Sequence, residues 1–102
     1  MLELSIIPRD ALEGYDRIII ERGKVRVGNV RCRFMGEKVV VYSIQVFPEF
    51  QGNGYGSAAI NMLKKRYSVI VADRVSFTAQ GFWRKMNFNE LPDGNWECRQ
   101  GL

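Results

Sequence analysis

The chain has 102 residues, 46% hydrophobic and 25% charged, with a net charge of +4 and a sequence pI of about 9.3. These values predict one domain with a modest core, and suit an anionic partner, whether nucleic acid or a phosphorylated cofactor. The sequence contains no His, which excludes His general bases, His-containing triads and His metal sites, and its two cysteines, Cys32 and Cys98, are too few for a disulfide scaffold or a structural zinc site.

"MLELSIIPRD" carries Glu3 and Pro8 and no long apolar run, so it does not read as a signal peptide. No window approaches the ~18 apolar residues of a membrane span. The expectation is a cytoplasmic protein with reduced thiols, no bound metal and no membrane contact.

In chain order, "LELSII" (2–7) predicts a short strand and "PRDALEGYD" (8–16) a turn with at most one or two helical turns. "RIIIER" (17–22) is β-branched and strand-like. "KVRVGNVRCRF" (24–34) alternates with period two and resumes alternating after Gly28-Asn29, predicting either an antiparallel strand pair or one strand with a bulge. "KVVVYSIQVF" (38–47) is longer and more apolar, as a central strand would be. The period then changes: "SAAINMLKKRY" (57–67) places Ala59, Ile60, Leu63 and Tyr67 on one helical stripe, with Lys64, Lys65 and Arg66 in the last turn. "SVIVA" (68–72) predicts a short buried strand, and "SFTAQGFWRKM" (76–86) a second helix with Ser76 as N-cap. "NWECR" (95–99) predicts a last strand. This order predicts an α+β domain with helices packed on a mixed sheet.

The segment "QGNGYG" (51–56) puts Gly52, Gly54 and Gly56 at the entrance of a helix, where each Gly is costly against Ala by roughly 1 kcal/mol in a helix interior. Asn53-Gly54 suits a hairpin turn, but helical rather than strand periodicity follows it. The Rossmann fingerprint needs a third Gly at position 57, which is Ser, and the Walker loop needs a Gly-Lys-Ser/Thr triplet that the chain lacks. A backbone anion cradle remains: bare amides at a strand-to-helix junction converge on one spot, aided by the helix dipole, and a pyrophosphate is the natural guest.

The same residues, Gln51, Gly52, Asn53, Gly54, Tyr55 and Gly56, resemble the Gln/Arg-x-x-Gly-x-Gly/Ala signature of the GNAT superfamily of N-acetyltransferases. "AQGFWRKMNF" (79–88) is similar to a later family motif at Ala79, Phe82, Lys85 and Phe88. The resemblance covers roughly residues 38–90. It implies a mixed, mostly antiparallel central sheet flanked by two main helices, with the N-terminal helical region reduced.

It further implies acetyl-CoA as acyl donor. Amides of residues 51–56 would hold the pyrophosphate, with Ser57 beside them. The strand end Ile44, Gln45, Val46 and Phe47 would pair with the pantetheine arm, and amides at Gln45 and Val46 would polarise the thioester. The central strand would splay from "SVIVA" to admit that arm. Trp83 would lie beside pantetheine, and Arg84 and Lys85 would reach the 3′-phosphate.

The family's usual general acid is a Tyr where this chain has Trp83; Asn87 replaces the motif's Gly, and Ser76 an Asn. The candidate proton-transfer groups are Tyr42 on the central strand and Glu49 beside it, with Glu37 and a relayed water as other bases. Each has a structural reading too: Tyr42 as a sheet tyrosine, Tyr55 packed under the loop, Glu49 as a solvated turn residue, Trp83 as a helix anchor.

Arg26, Arg31 and Arg33 share one sheet face, either solvated or in contact with a partner. The short stretch between the first two strands predicts an open acceptor site, or one completed by a second copy of the chain. The expected function is N-acetyl transfer to a primary amine, on a small molecule or a protein. The alternatives are a non-catalytic CoA-binding protein, or a protein- or nucleic-acid-interaction module on the same fold, nucleic acid being the less expected partner.

Overall fold

A computed structural model describes residues 1–7 and 14–100. The turn expected over 8–16 lies largely outside the described residues. Seven strands form one sheet in the order β1-β2-β3-β4-β5-β7-β6. They are β1 (Leu2–Ile7), β2 (Asp16–Arg22), β3 (Val25–Met35), β4 (Lys38–Val46), β5 (Val69–Ala72), β6 (Asn89–Glu90) and β7 (Trp96–Arg99). Every pairing is antiparallel except β4 with β5. Helix α1 (Tyr55–Lys64) follows β4, and α2 (Gln80–Lys85) follows a 3₁₀ turn at Phe77–Ala79. The α+β reading therefore holds.

The strand pattern decides between the two readings of 24–34: it is one strand with a bulge. Ile20 pairs with Gly28 but Glu21 with Arg26, leaving Val27 as the extra residue. That extra residue offsets the odd spacing between Arg26 and Arg31 and keeps Arg26, Arg31 and Arg33 on one face. Gly28 has a packing reason: a Cβ there would lie 2.2 Å from the Gln45 carbonyl oxygen.

Pleating sends Ile18, Ile20, Val30, Cys32, Val39, Val41, Ile70, Ala72, Trp96 and Cys98 to the other face, where they meet Ala59, Ile60 and Leu63 of α1 and Trp83, Met86 and Phe88 at α2. Both helices thus cover the same face, and no described helix covers the opposite one. Each fully buried Ile or Leu here contributes about 1.5–3 kcal/mol.

Boundaries shift where local chemistry overrides periodicity. Helix α1 begins two residues earlier than the apolar stripe predicts and ends at Lys64, so Tyr67 leaves the helix and stacks on Phe34 at 5.5 Å. The predicted second helix splits into a 3₁₀ turn and a short α-helix. Ser76 precedes the turn without a side-chain capping bond, its hydroxyl lying 3.3 Å from that of Thr78.

Helix α2 ends in a Schellman motif: Phe88 N–H donates to the Trp83 carbonyl and Asn87 N–H to that of Arg84, both at 3.0 Å. Asn87 has φ +67°, the left-handed position where Asn substitutes for Gly at least cost. Trp83 and Phe88, with ring centroids 4.8 Å apart, supply the apolar contact that accompanies this cap.

Candidate functional site

The strand-to-helix junction is built from backbone. Gly52 (φ +87°) and Gly54 (φ +77°) adopt left-handed conformations, and a Cβ on either would meet nothing within 4 Å. The requirement at these two positions is therefore conformational rather than steric. Gly56 differs: its Cβ would sit 3.7 Å from both Phe82 and Val46, facing a cavity.

Gln51 N–H donates to the Pro48 carbonyl at 3.3 Å, and its side-chain amide to the Val46 carbonyl at 3.0 Å, tying the loop to the end of β4. Asn53 Nδ2 donates to the Phe50 carbonyl at 3.0 Å. The first helical amide bond is Ala58 N–H to Gly54 O, at 3.0 Å. Among the described residues, the amides of Gly52, Asn53, Gly54, Tyr55, Gly56 and Ser57 have no protein acceptor. The run of amides without a protein acceptor thus starts at Gly52, because the Gln51 amide is committed to its own turn.

Two features open the sheet. Strand β4 has nine residues and β5 four, and the last partners are Val41 and Ala72. There β3 and β4 slip register: Cys32 pairs with Val41 but Arg31 with Ser43, making Tyr42 a bulged residue that bends β4. On the other side Asp73 N–H makes a last bond to the Val41 carbonyl (2.8 Å), and Arg74, at φ +44°, turns the chain away. The Arg74 amide is held by Asn95 Oδ1 at 2.7 Å.

The result is a gap beyond Val41 and Ala72. Phe47 N–H bonds the Val27 carbonyl at 2.8 Å, so alternation turns Gln45 and Ser43 toward β3 and leaves the backbone groups of Ile44 and Val46 facing the gap. Gln45 and Phe47 are thereby removed from the backbone groups open to a ligand arm.

Cavities follow this gap as one groove. A pocket of about 230 Å³ lies at the glycine loop, between Gln51, Gly54, Tyr55, Ser57 and Phe82. It shares Val46, Gly56 and Phe82 with an apolar cavity of about 280 Å³, which reaches Ile44, Ala79 and Trp83. The gap itself holds about 350 Å³ and continues past Tyr42, Asp73 and Arg74 into a cavity of about 420 Å³ on the opposite sheet face.

The sequence profile described as the Acetyltransferase (GNAT) family matches residues 3–88. The chain belongs to the GNAT acetyltransferase family. An uncharacterized N-acetyltransferase of Bacillus thuringiensis (strain Al Hakam) is 30% identical over 74 residues, covering 70% of this chain and 46% of that relative. The chain thus spans about half the length of the curated relatives it matches.

The Bacillus subtilis N-acetyltransferase YlbP, solved in complex with coenzyme A, superposes with a TM-score of 0.68 at 19% identity, over 82% of this chain and 67% of that one. An acetyltransferase from Thermus thermophilus superposes at 0.70 with 15% identity, over 84% and 64%. These likenesses establish the GNAT fold.

Within this GNAT domain the expected side chains separate. Tyr42, 39% exposed, lies at the bulge and lines both the gap and the opposite cavity. Glu49 lies in the 3₁₀ turn Pro48–Phe50 near the glycine loop, exposed and lining none of the four cavities. Glu37 accepts from Ser68 Oγ at 3.3 Å, at the closed end of the β4–β5 pair.

Trp83 is 5% exposed, edge-on to Phe82 at 5.0 Å, and floors the gap while capping α2. Lys85 is exposed and lines none of these cavities, and Arg84 stacks over Trp96 at 5.2 Å. Burial, with the Asp16 carboxylate adding, pushes the Cys32 thiol up to about 12, so it is an inert core group.

Asp73 lines the gap although the sequence analysis did not single it out. Its carboxylate stands at the gap's mouth beside Tyr42, 3.2 Å from Arg74 Nε. The available signal was its place directly after a short buried strand, since ligands of open sheets gather at the carboxyl ends of parallel strands.

Proposed function

We propose that this domain binds acetyl-CoA along β4 and the glycine loop and transfers the acetyl group to a primary amine. The observation that carries this reading is the continuous groove that joins unpaired backbone amides at residues 52–57 to the parted strands at Ile44 and Val46. The components fit the ligand in order. The amides at the N-terminus of α1, with Ser57 beside them, hold the pyrophosphate. Ile44 offers its backbone N–H and carbonyl, and Val46 its N–H, to the pantetheine arm as one strand adds to another, the Val46 carbonyl already accepting from Gln51 Nε2. Val46, Gly56, Phe82 and Trp83 supply its apolar wall. Lys85 is the charge proposed for the 3′-phosphate.

When bound, acetyl-CoA supplies a thioester whose C–S bond breaks as the amine nitrogen forms its bond to the acetyl carbon. A gap-facing amide of β4 donates to the carbonyl oxygen. Asp73 replaces Glu49 as the proposed base that frees the amine of its proton, because it stands at the mouth and Glu49 does not. Tyr42 returns a proton to sulfur, the part that buried, packed Trp83 is poorly placed to play.

The test pairs thermal melts with thiol release, on wild type and on Gly56→Leu. That side chain is compatible with helix and fills the apolar cavity. Acetyl-CoA at 100 times its Kd should add about 2.7 kcal/mol, several degrees, to wild type. It should add little to folded Gly56→Leu. Absence of any shift at millimolar acetyl-CoA defeats the reading. A shift without thiol release for any amine favours a CoA-binding protein that does not transfer.

A further inference from the structure

The groove does not end at the gap. Beyond Tyr42 it opens into the cavity of about 420 Å³ on the sheet face away from the helices. Its walls include Tyr15, Arg31, Arg33, Asp73 and Arg74. Asp73 Oδ2 accepts from Arg74 Nε at 3.2 Å, which leaves its other carboxylate oxygen free of that contact. Among the described residues the other two guanidiniums donate to neutral groups: Arg31 to the Tyr15 hydroxyl at 3.5 Å, lying over its ring at 5.5 Å, and Arg33 to the Gly14 carbonyl at 3.0 Å. Among the described residues neither has a carboxylate partner.

We infer that the acceptor is a primary amine carrying a carboxylate, which Arg31 and Arg33 bind while its nitrogen faces Asp73, Tyr42 and the mouth of the gap. This inference rests on the transfer reading and names its substrate class. The chemistry is specific. Each guanidinium keeps N–H donors beyond those it spends on Tyr15 or Gly14, and a planar donor fork matches a carboxylate. The Tyr15 ring holds Arg31 in place before the ligand arrives, which lowers the entropy lost on binding. A cationic or neutral amine gains nothing from these two groups, and a cationic one is repelled by them. Two sources present the same chemistry: a free acidic amino acid, and a peptide amino terminus followed by acidic residues.

The experiment measures thiol release with glutamate, its dimethyl ester, a short acidic peptide, and the same peptide with its side-chain carboxylates amidated. Wild type is compared with Arg31→Gln, Arg33→Gln, the double variant and the two Lys variants. All change exposed side chains, and folding is checked by circular dichroism. The expected result is a preference of about tenfold or more in kcat/KM for one acidic acceptor over its masked form, as charged hydrogen bonds of this kind supply. It should disappear in the double variant and partly return with Lys. Preference for the free amino acid or for the peptide identifies the source, and either supports the inference.

Equal turnover of acidic and masked acceptors overturns it while leaving the transfer reading intact. If acetyl-CoA binds but no amine releases thiol, the transfer reading fails separately, and calorimetry with N-acetylglutamate then decides the pocket. Binding that vanishes in the double variant supports it, and absence of binding in wild type overturns it.

Discussion

The two halves of β4 are made of the same material and do opposite things. Residues 38–41 are paired on both sides, and Val39 and Val41 are fully buried between the sheet and the helices. Residues 43–46 are paired only with β3, Tyr42 bulges out between the halves, and Ile44 and Val46 line a groove. Nothing in "KVVVYSIQV" marks the change, because Val, Ile and Tyr serve either environment. The difference arises from the neighbours. A bulge at Tyr42 bends one side and a left-handed turn at Arg74 withdraws the other, so the site begins where the hydrogen-bond ladder ends.

The largest test of this division uses proline, which removes an N–H and so reports where that N–H points. Gln45→Pro loses a ladder bond to β3 and leaves its acceptor unpaired, which should cost about 1–3 kcal/mol. Val46→Pro removes a group that faces the gap, as at a sheet edge, and should leave most of the stability in place. Its loss should appear as weakened acetyl-CoA binding. Urea unfolding of both variants, with calorimetry on the second, separates the two positions. Equal destabilisation would mean that the alternation along β4 has been misassigned.

Next is Gly28→Ala. The added Cβ would meet the Gln45 carbonyl oxygen, which belongs to backbone and cannot swing aside. Forcing β3 from β4 behind the gap should cost roughly 1–3 kcal/mol, the usual range for overpacking, and lower Tm by several degrees. A melt unchanged from wild type would show that the two strands have room to part.

Much of this architecture was legible in the sequence, for physical reasons that differ by region. The strand expected over 38–47 follows from its long apolar run, and the helix after the glycines from its period, since the side chains that recur are the ones the core needs. The glycine loop was legible because only Gly tolerates φ values of +87° and +77° without penalty, and the resemblance carried the same segment. The bulge at Tyr42 was hidden, because one extra residue in a strand changes register without changing composition. Asp73 was hidden for the same cause: its role depends on where β5 stops. Asn87 looked like a departure from the family pattern, yet it does what the missing Gly would do, by occupying the left-handed cap of α2.

The glycines of the loop sharpen the contrast further at about 1 kcal/mol. Gly54→Ala forces an L-residue to φ +77° and should cost ~1–2 kcal/mol even though its Cβ meets nothing. Gly56→Ala lies in the first turn of α1, with ordinary contacts at 3.7 Å, and should stabilise the fold by up to ~1 kcal/mol. Opposite signs from one substitution two residues apart would separate conformational need from ligand access. The same sign in both would remove the conformational argument for the loop.

The effect that is smallest near neutrality sits at the boundary between the two halves. Cys32 pairs with Val41, the last residue of β4 bonded to β5, and the register slips immediately beyond it. Its folded-state pKa, pushed up to about 12 from 9.0, means that the unfolded chain gives up the thiol proton first as pH rises. A raised acid pKa stabilises the fold fully below the unfolded value and loses that contribution as pH climbs toward the folded one. Stability should therefore be insensitive to this thiol below pH 9 and decline between pH 9 and 12. Cys32→Val, close in volume, should flatten that alkaline decline while leaving the melt at pH 7 nearly unchanged. An alkaline slope identical in both proteins would place the titrating group elsewhere and would mean that solvent reaches the thiol through the parted strands.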